Sequence, residues 1–192
     1  QNVGRKGADI SPGDVVVRPG DVSTPSRLGA IAAVGVAQVE VYARPRVAIL
    51  STGNEVIEPG EPLEPGQIYD VNRYTLAAVA EAHGCIPMLL PPARDTLASL
   101  NDALDACAEA DVIIFSGGSS VGERDLLIDL IAERGEVVFH GIAVRPGKPT
   151  WFGRLGDGRL VLGLPGNPAS AFVCAELFLK PLILALQGDV RP

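Results

Sequence analysis

Val112-Ile-Ile-Phe-Ser116-Gly-Gly-Ser-Ser-Val-Gly-Glu-Arg-Asp125-Leu-Leu-Ile-Asp-Leu-Ile131 is the stretch that decides the fold. An apolar, β-branched run over Val112–Phe115 predicts a buried strand, and Leu126, Leu127, Leu130 and Ile131 recur at helical spacing. Between them lies a loop of small residues, at the strand-to-helix handover where open α/β sheets bind ligands. Gly117, Gly118 and Gly122 let the backbone approach an anion closely, and the amides of the following helix start can face a phosphate. Asp125 adds a carboxylate beside that anion, which makes chemical sense if a metal ion or a departing group lies between them.

The same alternation continues on both sides. Upstream, Val47–Leu50 reads as a short buried strand, followed by a Gly/Pro-rich loop over Gly53–Gly66 that carries Glu55, Glu58, Glu61 and Glu64. Asp70 or Asn72 then caps a helix that stops at Gly84. Cys85–Leu90 follows as a strand ended by Pro91-Pro92, and Asp95 is placed to cap a helix with Leu97, Leu100, Leu104 and Cys107 on one face. Downstream, the helix after the glycine loop stops at Gly135, and Val137–Val144 forms the next strand. Asp157-Gly158 signals a hairpin between Trp151-Phe152 and Leu160–Leu162. Asn167 and Pro168 open a long apolar helix reaching Leu186, as N-cap and first helical residue. Strands alternating with helices predict a three-layer α/β/α domain over residues 46–187, its sheet mostly parallel with one antiparallel hairpin.

Residues 1–45 read differently. Pro12-Gly13-Asp14 and Pro19-Gly20-Asp21 are turn signals around Val15–Val17, a short helix runs from Thr24 to Val34, and Val39–Tyr42 alternates as a strand. The segment has no complete core of its own and reads as the tail of a preceding β-rich domain; residues 188–192 read as the start of a linker.

Composition excludes several function classes. A formal charge of −7 and a pI near 4.8 argue against a general nucleic-acid footprint, which needs a basic face. No apolar run reads as long enough to span a bilayer, and no secretory signal pattern opens the chain, so the expectation is a soluble cytoplasmic protein with no membrane partner. Cys85, Cys107 and Cys174 are odd in number and lie in apolar elements, which predicts buried thiols.

Two further strand-end loops are ligand candidates. Arg145-Pro-Gly-Lys148-Pro149 sets two cations around a fixed turn, Arg as a planar fork and Lys as a point charge for phosphate or an oxyanion. Gly163-Leu-Pro165-Gly-Asn-Pro168 is a rigid, open-backboned approach to a helix N-terminus. Glu55, directly after Ser51-Thr52-Gly53-Asn54, is a candidate metal or substrate carboxylate. Asp70 is either a cap or a ligand group, and His140 is read as a surface or satisfied histidine.

Taken in order, Ser51–Glu55, Gly66–Asn72, Ser116–Asp125, Arg145–Pro149 and Gly163–Pro168 resemble the motifs of the MoeA family, the molybdopterin molybdenumtransferases, which include the E domain of gephyrin. The resemblance covers residues 46–187. It implies insertion of molybdate into adenylylated molybdopterin with Mg2+, releasing AMP and the finished molybdenum cofactor. By the same resemblance Glu55, Asp95 and Asp125 are the acidic catalytic positions, with Asp125 and Glu55 as metal ligands. Thr52, Gly117, Gly118, Ser119, Ser120, Gly122, Arg145, Lys148, Pro165 and Pro168 would bind substrate. Asn54 stands where many members have Asp, Ser119 where Val is common and Arg145 where Lys is frequent. The last exchange keeps the charge but changes the geometry offered to an oxyanion. Family members are longer at both ends and act as homodimers, so the resemblance implies that this chain is part of a longer protein and weakly active or inactive alone. Two other readings share the fold: a molybdopterin adenylyltransferase of the MogA type, and a non-catalytic gephyrin-like scaffold module.

Overall fold

A computed structural model describes residues 3–117 and 125–189. The chain forms two compact units, one of residues up to Tyr42 with those from Gly188 onward, the other Ala43–Gln187.

In the first unit, helix α1 (Pro25–Ala33) starts and stops where its sequence says. The Thr24 hydroxyl accepts from Arg27 N, Pro25 occupies the first turn, and Gly35 takes a φ of +81° just past the end. Asp14 and Asp21 close their turns by accepting from the amides of Ser11 (2.7 Å) and Arg18 (2.8 Å). The strands expected over Val15–Val17 and Val39–Tyr42 do not form, and the described residues before Pro45 contain no strand. Alternation supplies a face but not a hydrogen-bonding neighbour, and no second edge within this segment pairs with either stretch.

The second unit is a six-stranded sheet, ordered β4-β1-β5-β8-β7-β6, from β1 (Arg46–Thr52), β4 (Ile86–Leu89), β5 (Val112–Gly117), β6 (Gly135–His140), β7 (Trp151–Leu155) and β8 (Leu160–Leu164). β4, β1, β5 and β8 run parallel, while β7 is antiparallel to both β8 and β6. Both faces are covered, and the side-chain period of two divides the core. Val47, Ile49, Val112 and Ile114 pack on α2 (Asn72–Ala82) and α5 (Pro168–Leu186). Ala48, Leu50, Ile113 and Phe115 pack on α3 (Leu97–Ala106) and α4 (Leu126–Arg134). At the hairpin, Trp151 pairs with Gly163, where any larger residue would run into the indole ring.

Several boundaries differ from the sequence expectation for local reasons. Thr96, not Asp95, caps α3 by accepting from Ser99 N, which frees the Asp95 carboxylate, and Leu97 on that helix is exposed. Neither Asp70 nor Asn72 is the N-cap of α2: Val71 holds that position without a side-chain bond, and Asp70, one residue ahead, accepts from Arg73 N through Oδ1 at 3.0 Å. The loop after β1 contains a parallel pair, β2 (Val56–Ile57) with β3 (Ile68–Tyr69), too short to register as a pattern. Gly135 begins β6 instead of ending α4 in a loop, and that strand stops at His140.

α5 is one continuous helix that widens into a π turn at Ala175–Leu179. Pro181 cannot donate to the Leu177 carbonyl and its ring crowds it, which the wider turn relieves. At 19 residues and a mean hydropathy of 1.8, this helix is long and apolar enough to cross a membrane, so the expectation that no run has that length fails. Its Ala171, Cys174, Ala175, Leu179 and Ile183 are built into the core instead. The three cysteines are free and buried, and burial pushes the Cys85 and Cys107 thiols up to about 11.

Candidate functional site

The chain leaves β1 through α2 towards β4 on one side, then returns through α3 to β5 on the other. The sheet's topological switch point therefore falls between β1 and β5, whose last residues, Thr52 and Gly117, are register partners. Gly117 has a φ of +104° and lies so close to the Thr52 carbonyl that a side chain could not fit. Thr52 is 3% exposed, and its hydroxyl has no hydrogen-bond partner among the described residues. Gly166, from the loop after β8, packs against Gly117 as well. These three strand ends form one floor.

Buried polar side chains fasten the floor from below. Ser51 Oγ donates to Asp70 Oδ1 at 2.7 Å, and Asn72 Nδ2 donates at 2.7 Å both to Ser116 Oγ and to the Gly166 carbonyl. Asp70 is thus absorbed as a strut.

Acidic residues gather at the rim. Glu55 folds back over Gly53, and its carbonyl is held by Ile68 N at 2.9 Å. The Asp95 amide reaches Asn54 Oδ1 at 3.4 Å, while a bridge between Thr52 and Ala93 brings the two segments together. Asp95 is raised above the usual carboxylate value by partial burial and then by the charges of Glu55 and Asp125, which therefore both act on it. Asp125 is raised mainly by burial, against the pull of the Leu127 and Ile128 amides it caps and of exposed His140. Among the described residues, no group of three or more His, Cys, Asp or Glu is arranged to hold a metal ion.

Cations occupy the other wall. A cavity of about 720 Å³ is lined by Arg145, Lys148, Pro165, Gly166, Asn167 and Ser170, among others. The turn between the two cations is rigidly held: Ile142 N donates to the Lys148 carbonyl at 2.9 Å and Thr150 Oγ1 to the Gly147 carbonyl at 2.8 Å. Gly147, at a φ of +124°, leaves no room for a side chain against Cys174. Arg145 and Lys148 are exposed, and among the described residues neither is in an ion pair. Pro168 is exposed as the first residue of α5, behind the Asn167 cap that accepts from Ser170 N at 3.1 Å. Gly118, Ser119, Ser120 and Gly122 lie outside the described residues.

The sequence reading missed Ser116 as a partner and Asn72 as a bridge. Asn72 offered a signal in its position at a helix start, but that pattern speaks only of capping.

A model of the family described as a probable molybdopterin binding domain matches residues 48–185. The chain belongs to that family. This molybdopterin-binding domain is 43% identical over 190 residues to the molybdopterin molybdenumtransferase of Haemophilus influenzae, covering 98% of this chain and 47% of that protein. It is 38% identical over 202 residues to molybdopterin molybdenumtransferase 2 of Mycobacterium tuberculosis, covering 100% of this chain and 50% of the relative. The domain spans about half the length of these curated relatives. Among solved structures, the MoeA protein of Pyrococcus horikosii superposes with a TM-score of 0.82 at 38% identity, covering 94% of this chain and 45% of that one. The Mog protein of Mycobacterium ulcerans shares the fold at 20% identity and a TM-score of 0.56, covering 75% of this chain and 97% of that one.

Proposed function

We propose that the protein carrying this domain is a molybdopterin molybdenumtransferase, which inserts molybdate into adenylylated molybdopterin and releases AMP. The cavity lined by Arg145, Lys148 and Pro165 carries this reading, because Gly166 joins it to Gly117 at the switch point and so brings two cations to the strand ends where such sheets bind ligands. Arg145 and Lys148 hold the phosphate or the molybdate oxyanion, and the held backbone of their turn lowers the entropy cost of bringing them together. Thr52 and Gly117 give the substrate a close backbone approach. Asp95, with its raised proton affinity, is the carboxyl suited to hold and pass a proton while the phosphoanhydride is cleaved.

The donor set fits Mg2+: hard carboxylate oxygens whose mutual repulsion a cation relieves, and Mg2+ is commonly held by one or two carboxylates plus substrate phosphates. Asp125 and Glu55 would hold it. When bound, it neutralises phosphate charge. The protein is read as a cytoplasmic homodimer.

Asp125→Asn is the sharpest test, since it keeps the cap on α4 while removing the charge. Loss of molybdate insertion with an unchanged melting temperature supports the reading; unchanged turnover removes Asp125 from it. ATP-dependent AMP transfer to molybdopterin would point to the adenylyltransferase instead.

A further inference from the structure

Arg73, the second residue of α2, is 4% exposed. Its guanidinium forks between two loops: Nη1 donates to the Leu90 carbonyl at 2.6 Å, and Nη2 bonds to the Glu58 carboxylate. Nη2 also reaches Tyr74 Oη at 3.2 Å, and Nε faces Asp70 Oδ2 at 3.5 Å, long for a hydrogen bond.

What those partners carry gives the contact its meaning. Glu58 stands three residues after Glu55, directly beyond β2, whose ladder to β3 holds the Glu55 carbonyl. Leu90 begins the Pro91–Arg94 segment that delivers Asp95, and this segment is tied back by Ala93 N to the Ser51 carbonyl at 2.9 Å. One buried side chain therefore grips the two strips of chain that present Glu55 and Asp95. Stability alone gives little reason for it: a buried ion pair is often replaced by apolar packing at no loss, because desolvation offsets the attraction. A planar fork with donors on two sides is what spanning two acceptors requires, and a lysine ammonium is a single point.

We infer that Arg73 is a positioning residue that sets the separation of Glu55 from Asp95 by holding Glu58 and the Leu90 carbonyl at once. This rests on the proposed function for its consequence in turnover, but the clamp itself can be read without any substrate. Glu58 is the accessible arm, since its side chain is 40% exposed and its replacement leaves the core alone.

The experiment compares Arg73→Lys, Arg73→Gln and Glu58→Gln with the wild type in the full-length protein, by amide hydrogen exchange and by steady-state kinetics. Exchange at 53–58 and 90–95 should quicken by about tenfold or more in both Arg73 variants while the central strands keep their protection. Glu58→Gln should loosen 53–58 alone. In turnover, Arg73→Lys should lower kcat by about tenfold with KM within about twofold, the mark of lost alignment rather than lost binding. Wild-type exchange in either loop of the Arg73 variants, or acceleration across the whole domain, overturns the inference. So does an unchanged kcat in Arg73→Lys. If the loops loosen locally while the wild type itself inserts no molybdate, the clamp stands and the functional reading falls.

Discussion

The side-chain amide of Asn72 donates at 2.7 Å to Ser116 Oγ and at the same distance to the Gly166 carbonyl, so a single nitrogen joins the start of α2, the end of β5 and the loop after β8. Forty-four residues separate the first pair and ninety-four the second. The floor of the cleft depends on this junction, because Gly166, which it holds, packs beside Gly117 too closely to leave open space for a side chain.

Asn72→Ala should therefore destabilise the domain by about 1–3 kcal/mol, since it removes the donor shared by the buried Ser116 hydroxyl and the part-buried Gly166 carbonyl. Urea unfolding measures this. A loss below a few tenths of a kcal/mol would mean that water replaces the amide without cost.

The acidic rim predicts a pH dependence with a definite sign. The folded-state pKa of Asp95 lies above its ordinary value of 3.8, through burial and then the charges of Glu55 and Asp125. Its contribution to stability is present below that ordinary value and is lost as pH rises through the folded one. Asp95→Asn should consequently be more stable than wild type at neutral pH, and the two should converge toward pH ~3. Because Asp95 is exposed, the gain will be small. Parallel stability curves from acid to neutral pH would contradict the action of those charges on Asp95.

Magnesium should act on the same residues. At about ten times its dissociation constant, a cation that binds only the folded state stabilises by about 1.4 kcal/mol, a rise in Tm of about 3–6 °C for a domain of this size. Thermal melts with and without Mg2+ should show that rise in the wild type and none in Glu55→Gln. An equal rise in both would place the ion elsewhere.

Gly147 offers a mechanical test of the cationic wall. Gly147→Ala would force a side chain at a φ of +124° into Cys174, which should cost about 1–3 kcal/mol in backbone strain alone. The Arg145–Lys148 turn should loosen with it, so AMP affinity measured by calorimetry should weaken more than in Gly158→Ala, a positive-φ glycine at the distant hairpin with open space around it. Equal affinities in the two variants would separate the turn from anion binding.

Much of the fold can be read directly from short sequence patterns. Thr24-Pro25 and Asn167-Pro168 each name a helix start, Gly35 and Gly84 each a stop, and Asp157-Gly158 a hairpin, because each signal acts within four residues of backbone. The same locality explains the errors. Asp95 and Thr96 are both good caps, and only the path of the preceding loop decides that Thr96 takes the Ser99 amide and Asp95 is left for the rim. Val39–Tyr42 alternates like a strand, but alternation cannot supply a neighbouring edge.

By itself, then, the sequence determined the main strands and helices of residues 46–187, their order and the three loops that end at the sheet's carboxyl edge, since strand period, caps and turn glycines are properties of adjacent residues. The tertiary structure alone decided that β1 and β5 stand side by side at the switch point and that the charges of Glu55 and Asp125 act on Asp95. It alone put Arg73 and Asn72 beneath them, because those partners are distant in sequence and meet only when burial brings their strands together.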